Sequence, residues 1–434
     1  MSHSWVFRAQ PKILFTAVLG LLVLTSACSG DTQHVHSIAG CEMHDLTPCD
    51  ARTFECEQSR FELAACLRGA KGGEPPPITR MTEDQYIASV ADPFQGQEPP
   101  TNHYEIAMTW LGLAQPGSFN FVPVTKESIA NVFGTYRWRN RDLLVIDHGK
   151  PANDAASNVQ LVAAMIRALR DRDIQIGTWA TVASVYDTDS TWGADAMYFG
   201  EAHLFSNRYQ AALDGRDPAN FGEFEQINAG IREDIAWIRA QPSSYVATNT
   251  RFAPNFGARA IYLTWLRGGM DAVNFLYTDK LITQQLMADE TAEAPVPNLK
   301  YHARPRAPDT WDQNAFVTAL GAWGLYLVLV QSMDSDAAWS LALNWSGEQL
   351  FVYKPAEASD DGASDDGAGK DGASDETALV WQLEMADDAS ASALSTALSS
   401  SEAGARGKVQ QNGTFVTLAK ASNDDPLDWA FVSD

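Results

Sequence analysis

The chain has 434 residues, 45% of them apolar, enough to bury a large core in one domain or in two or three smaller ones. Its formal charge is -24 and its pI is near 4.6, so no net positive field would attract phosphate, and a nucleic-acid partner is disfavoured. Part of the acidity lies in a low-complexity run near the C-terminus, and much of the rest reads as solvated surface.

At the N-terminus, Arg8 and Lys12 precede an apolar run over residues 13–24, followed by Thr25-Ser26-Ala27-Cys28. A basic start, an apolar stretch too short for a comfortable transmembrane span and small residues at its end mark residues 1–27 as an export signal. The LTSAC ending looks like a lipoprotein cleavage box, which makes Cys28 the lipidated first residue of the mature chain, held on the lipid bilayer. Ser29 and Gly30 after it suit the outer membrane. Secretion or a periplasmic location with an unmodified Cys28 is the alternative. Residues 28–77 form a tether and a disulfide-rich segment. Cys41, Cys49, Cys56 and Cys66 fall within 26 residues, which in an exported chain reads as two disulfides. Three pairings are open, and Cys41 with Cys49 plus Cys56 with Cys66 is the simplest.

The body is assigned to residues 78–312. Thr82 and Gln85 can form a capping box for a helix through Val90, and a second helix covers residues 104–113. Residues 134–147 read as a strand, a turn around Asn140 and a second strand whose apolar run suits partial burial. The next helix spans residues 153–173, with Val159, Val162, Ile166 and Leu169 at helical spacing. Asn153 or Asp154 caps it, and the run Arg170-Asp171-Arg172-Asp173 is expected to end it in solvent. An apolar segment follows at 177–185, then helices over 194–209 and 228–240. A helix over 257–266 is broken at Gly268-Gly269 before a shorter one over 271–277. Residues 289–311 are Pro-rich and irregular.

Residues 313–434 make a C-terminal helix and strand region. The apolar run 315–330 reads as a buried core helix, not a membrane span. Strands are expected at 350–353, 379–383 and 414–418, with a helix at 391–398 and a disordered acidic insertion at about 355–376. The fold class is α+β, mostly helical, with a small hairpin or sheet before the central helix and a C-terminal α/β element of short strands.

Several segments carry a resemblance. They are FELAACLRG, LLVIDHG, the ALRDRD helix ending, FGEAHLFSNRY, FGARAIYLTWLRGGMDAVNFLY with TQQLM, and ALGAWGLYLVL. Together they make the chain similar to hypothetical lipoproteins of myxobacteria and relatives, whose central domain resembles zincin-type metallopeptidases. The resemblance implies a zincin-like body in which the 153–173 helix carries HExxH and a downstream glutamate completes a zinc site. Laid onto this chain, the two histidines fall at Ala163 and Arg167, the catalytic glutamate at Ala164 and the third ligand at Phe199, two positions before Glu201. Zinc needs lone-pair donors, and its water needs a carboxylate base. Alanine offers no lone pair, and arginine stays protonated. The site is therefore degenerate, no catalytic residue or cofactor is expected, and the role becomes binding or scaffolding at the cell envelope, with an envelope protein, peptide or glycan as partner. A peptide could add to an edge strand near residues 143–147. Glu201 could pair with Arg167 across the former cleft. The rival is a hydrolase with a metal site rearranged onto His148, Glu201 and His203, and a third reading is a peptide- or glycan-binding lipoprotein unrelated to peptidases.

Overall fold

The computed structural model describes residues 38, 40–90, 103–116, 124–176, 188–218, 222–241, 245–278, 281–288, 316–354, 377–401, 403–405 and 407–422. The expected export signal, Cys28, the 177–185 segment, the Pro-rich stretch 289–311 and the expected acidic insertion at about 355–376 lie outside these residues.

Helix α1 (Phe54–Leu67) starts at Thr53, whose hydroxyl accepts from the Cys56 N–H. That turn brings Cys56 back to Cys49, and the disulfides are Cys49–Cys56 and Cys41–Cys66. The simplest pairing is thus corrected. The buried Arg60 decides the matter, donating to the carbonyls of Asp45 (2.7 Å) and Thr47 (2.5 Å) and to Asn158 Oδ1 (3.0 Å). Asn158 Nδ2 donates in turn to the Cys49 carbonyl at 2.9 Å. The 45–49 loop is thereby held against α1, and Cys41 closes onto the last turn of that helix instead.

Strand β1 (Ile78–Thr82) leads into α2 (Glu83–Ser89) through the expected Thr82–Gln85 capping box. Helices α3 (His103–Trp110) and α4 (Lys126–Ile129) precede the hairpin of β2 (Gly134–Arg137) and β3 (Asp142–Asp147). The three strands order as β1-β3-β2, with β3 parallel to β1 and antiparallel to β2. Strand β3 is therefore central. Its unbroken apolar run follows from being covered on both faces, and it offers no edge to a peptide; among the described residues the edges are β1 and β2.

The helical layer begins with α5 (Ala155–Ile174), capped by Asp154, and α6 (Thr188–Leu213). It continues with α7 (Glu223–Ala240), α8 (Tyr245–Leu276) and α9 (Thr283–Met287). Helix α8 kinks where Gly268 and Gly269 leave helical dihedrals, as the glycine pair suggests. Helices α6 and α8 cross with backbone against backbone. A Cβ on Gly200 would strike Gly257 and Ala258, and one on Gly257 would strike the Ala196 carbonyl. Only glycine fits at either position.

Beyond lie β4 (Phe316–Thr318), α10 (Gly321–Leu329), α11 (Ser335–Leu343), β5 (Trp345–Tyr353), β6 (Ala378–Met385), α12 (Asp388–Ser400), β7 (Gly407–Asn412) and β8 (Phe415–Ala421). The strands form an antiparallel sheet ordered β4-β5-β6-β8-β7. All nine residues of α10 are buried, which accounts for the apolar run that mimics a span. Among the described residues no helix is long and apolar enough to cross a membrane. The fold is α+β, and one hydrophobic core runs from Ile38 through α5, α6 and α10 to Leu418.

Candidate functional site: two faces of one helix pair

Helices α5 and α6 lie against each other, and each presents polar groups to the contact. On one side sits Glu201, 1% exposed. Its Oε1 accepts from Arg68 Nε at 2.7 Å and Arg170 Nη2 at 2.8 Å, and its Oε2 accepts from Arg170 Nε at 2.7 Å. The Tyr277 hydroxyl lies 2.6 Å from Oε2 and 3.0 Å from the Met197 carbonyl. Arg170 also donates to Asn274 Oδ1 at 2.8 Å and lies 4.0 Å over the Tyr277 ring, while Arg68 donates to Asp173 Oδ2 at 3.0 Å. Burial pushes the Glu201 carboxyl up, but Arg68 and Arg170 outweigh it and hold it down at about 2. Four elements meet here: the end of α1, then α5, α6 and α8. Every charge is matched, as a buried ion network requires.

The run Arg170-Asp171-Arg172-Asp173 therefore does not end α5 in solvent. Arg170 is 1% exposed and Asp171 4%, and Asp171 Oδ2 accepts from the Tyr136 hydroxyl at 2.6 Å. A helical period of 3.6 sets Arg170 and Asp171 about 100° apart around the helix end, one facing α6 and α8, the other facing β2. The expected Arg167–Glu201 pair is likewise corrected, because Glu201 is one turn further along and is taken by Arg68 and Arg170. Beside this cluster a surface depression of about 500 Å³ is lined by Arg68, Lys71, Arg172, Asp173, Met270 and Asn274 among others. Two of its basic groups are engaged: Arg68 by Glu201 and Asp173, and Arg172 by the carbonyls of Lys71 (2.8 Å) and Gly72 (3.1 Å).

The other side is different. Arg167 lies with its guanidinium carbon 5.3 Å from the Phe199 ring centre, and among the described residues its one hydrogen bond is long, 3.5 Å from Nη1 to Thr135 Oγ1 on β2. Its Nε is buried and bonded to nothing, and burial pushes its guanidinium down. Tyr198, 7% exposed, also has a buried hydroxyl without a partner. Asp195, one helical turn earlier on α6, makes no hydrogen bond or ion pair, and burial pushes its carboxyl up to about 7. Phe199 itself is 38% exposed, so this side opens to solvent.

The residues assigned by resemblance to the metal fall here. Arg167 and Phe199 meet, Ala163 lies one turn before Arg167 and is partly buried, and Ala164 is fully buried in the core. These side chains do not fit zinc. Nor do the alternative ligands converge. His148 Nδ1 lies 2.6 Å from Glu83 Oε1 and its Nε2 2.9 Å from the Val132 carbonyl, while Asn207 Nδ2 donates to His203 Nε2 at 3.1 Å. Burial pushes His203 down to about 4. No group of three or more His, Cys, Asp or Glu placed to hold a metal exists among the described residues, so the rearranged site on His148, Glu201 and His203 does not form.

Sequence reasoning missed Arg68, Tyr277 and Asn274 as partners of Glu201. One signal was available: a lone glutamate inside the apolar stretch Met197–Leu204 implies cations brought from elsewhere. Nothing in the spacing names which arginines supply them, since Arg68 is 133 residues away. No protein-family model, no curated protein and no solved structure matches the chain.

Proposed function

We propose that this is an exported lipoprotein of the cell envelope, anchored through Cys28, whose metallopeptidase-like body binds a ligand and does not cleave it. The observation that carries the reading is Arg167. At the position where the resemblance calls for a metal-ligating imidazole stands a fixed cation with an unbonded donor, lying on the exposed ring that replaces the third ligand. A permanent positive charge opposes a divalent cation and favours an anion or a polar acceptor. Ala163 and Ala164 add neither a lone pair nor a base. An extended peptide ligand would then meet β2, the edge strand that carries Thr135, and not the central β3.

Two measurements test the reading. Equilibrium dialysis of the full chain against zinc should show no stoichiometric uptake; one tight, chelator-sensitive zinc per chain overturns it. In cells, Cys28→Ser should move the protein from the membrane fraction to the soluble envelope fraction and remove the lipid from the N-terminal peptide in mass spectrometry. Unchanged membrane partition would remove the anchor from the account and leave the binding role standing.

A further inference from the structure

Building on that reading, we propose that the side of the α5–α6 contact carrying Arg167, Tyr198 and Phe199 is a carboxylate-binding site, whose ligand presents a single carboxylate to Arg167 and an apolar or aromatic group to Phe199.

Three features converge. First, two buried donors in one place are unsatisfied: Arg167 Nε and the Tyr198 hydroxyl. Leaving such groups dry is destabilising, whereas one turn away Glu201 is bonded by Arg68, Arg170 and Tyr277. The Phe199 ring lies 5.3 Å from the Arg167 guanidinium carbon and 5.5 Å, edge to face, from the Tyr198 ring. The Arg167 charge also acts on the Tyr198 hydroxyl with no hydrogen bond between them.

Second, the chemistry selects the anion. A guanidinium presents parallel N–H donors matched to the two oxygens of a planar carboxylate, and a phenol supplies one further donor. Among the described residues Arg167 is the cation nearest to Tyr198; burial pushes the Asp195 carboxyl on the preceding turn of α6 up, toward its neutral form, and Asp171 is bonded to Tyr136 on the β2 side. One cation beside a carboxylate suits a monoanion; a phosphate dianion would call for more positive charge than this. Third, the Phe199 ring beside Arg167 is exposed, so a flat or apolar group next to the carboxylate can lie on it while the acid reaches inward.

A carboxylate can come from a peptide C-terminus or from a small organic acid, and calorimetry on the full chain separates them. The probes are N-acetyl-Phe-Ala-Phe as the free acid, the same peptide as its C-terminal amide, benzoate, and inorganic phosphate. The free acid, benzoate or both should bind, with the amide and phosphate weaker by at least about tenfold. Losing a charge-assisted bond is worth about 1.5–3 kcal/mol, so Arg167→Met should weaken the acid by about 10- to 150-fold. Arg167→Lys should recover part of that, because it keeps the charge and loses the fork. Tyr198→Phe should cost about fivefold. Because neither side chain has a strong partner to lose, both variants should melt no lower than the parent, which the same samples report. Binding of the peptide acid alone identifies a chain terminus as the ligand, and binding of benzoate alone identifies a small acid. The proposal is overturned if neither acid binds, if amide or phosphate binds as well as the acid, or if Arg167→Met binds like the parent. None of those results involves zinc, so failure here leaves the non-catalytic reading intact, whereas tight zinc uptake would remove both.

Discussion

Arg167 and Arg170 stand three residues apart on one helix and meet opposite fates. Arg170 spends its donors on Glu201 and Asn274 and stacks on Tyr277. Arg167 has one long bond to a threonine and a ring beneath it. Both sit where α5 faces α6, so the difference lies in what the neighbouring elements bring. On the Arg170 side α1 and α8 deliver Arg68, Asn274 and Tyr277. On the Arg167 side the hairpin delivers only Thr135. Saturated polar clusters specify a fold; unsaturated ones keep binding capacity in reserve.

The strongest way to break this comparison is to remove Glu201. Glu201→Ala should cost about 3–5 kcal/mol of stability by stranding two buried guanidinium groups, read as a lowered urea midpoint. A loss under about 1 kcal/mol would show that the network is not what holds these helices. The disulfide next to it comes second. Cys41–Cys66 separates residues 25 apart and Cys49–Cys56 residues 7 apart. Chain-entropy scaling then gives about 3.5 against about 2.4 kcal/mol for removing each as a double serine variant. Equal losses in urea titration would mean that docking of the 45–49 loop by Arg60 and Asn158 outweighs loop length.

The third test uses acid, and the two clusters carry opposite signs. Glu201 is held at about 2, below its ordinary 4.5. Its stabilisation, on the order of 3 kcal/mol, is present above pH 4.5 and disappears as pH falls toward 2. Asp195 is raised from 3.8 to about 7. The folded state therefore takes up its proton first, and the penalty of its charge, complete above pH 7, fades between pH 7 and 4. His203, lowered to about 4 from 6.5, runs the other way in part of that window, its contribution vanishing as pH falls. The clean readout is a difference: stability of Asp195→Asn minus parent, followed from pH 8 to 4, should shrink as pH falls. A flat difference would show that Asp195 is not held neutral by its surroundings.

The smallest effects sharpen the contrast. Arg167→Met should leave stability unchanged or raise it by about 1 kcal/mol, since it removes a buried donor without a partner. Tyr198→Phe should do the same by less. A drop of more than about 1 kcal/mol for either in thermal melts would mean that these groups serve the fold, and the two sides of the helix pair would no longer differ in kind.

Much of the framework is legible in the sequence. The α5 stripe, the Thr82–Gln85 box, the hairpin turn and the Gly268-Gly269 break are local patterns, set by residues within a few positions of each other. The strands that went unread are short or polar: β4 has three residues, and β7 reads GKVQQN with mostly exposed side chains. β1 shows no alternation because it gains its place only by pairing with β3. Charge patterning misled at Arg170 and Asp171, where a run of four alternating charges looks solvated and half of it is buried. Whether a charge near a helix end is buried depends on partners delivered by distant chain segments, and Arg68 and Asn274 are 102 and 104 positions from Arg170 in opposite directions. Positions 163, 167 and 199 were singled out only through the family resemblance, and no local pattern shows that Arg167 and Tyr198 keep donors without partners.

The glycine crossing of α6 and α8 has a consequence for how this helix pair can change. With Gly200 seated on Gly257, the two backbones touch, and no smaller side chain exists that would bring them closer. The crossing therefore works as a mechanical stop. It sets the gap in which Glu201, the next residue, meets Tyr277. Gly193, two turns earlier on α6, sits as tightly on the Leu281 backbone, so the helix is held at two points and not hinged at one.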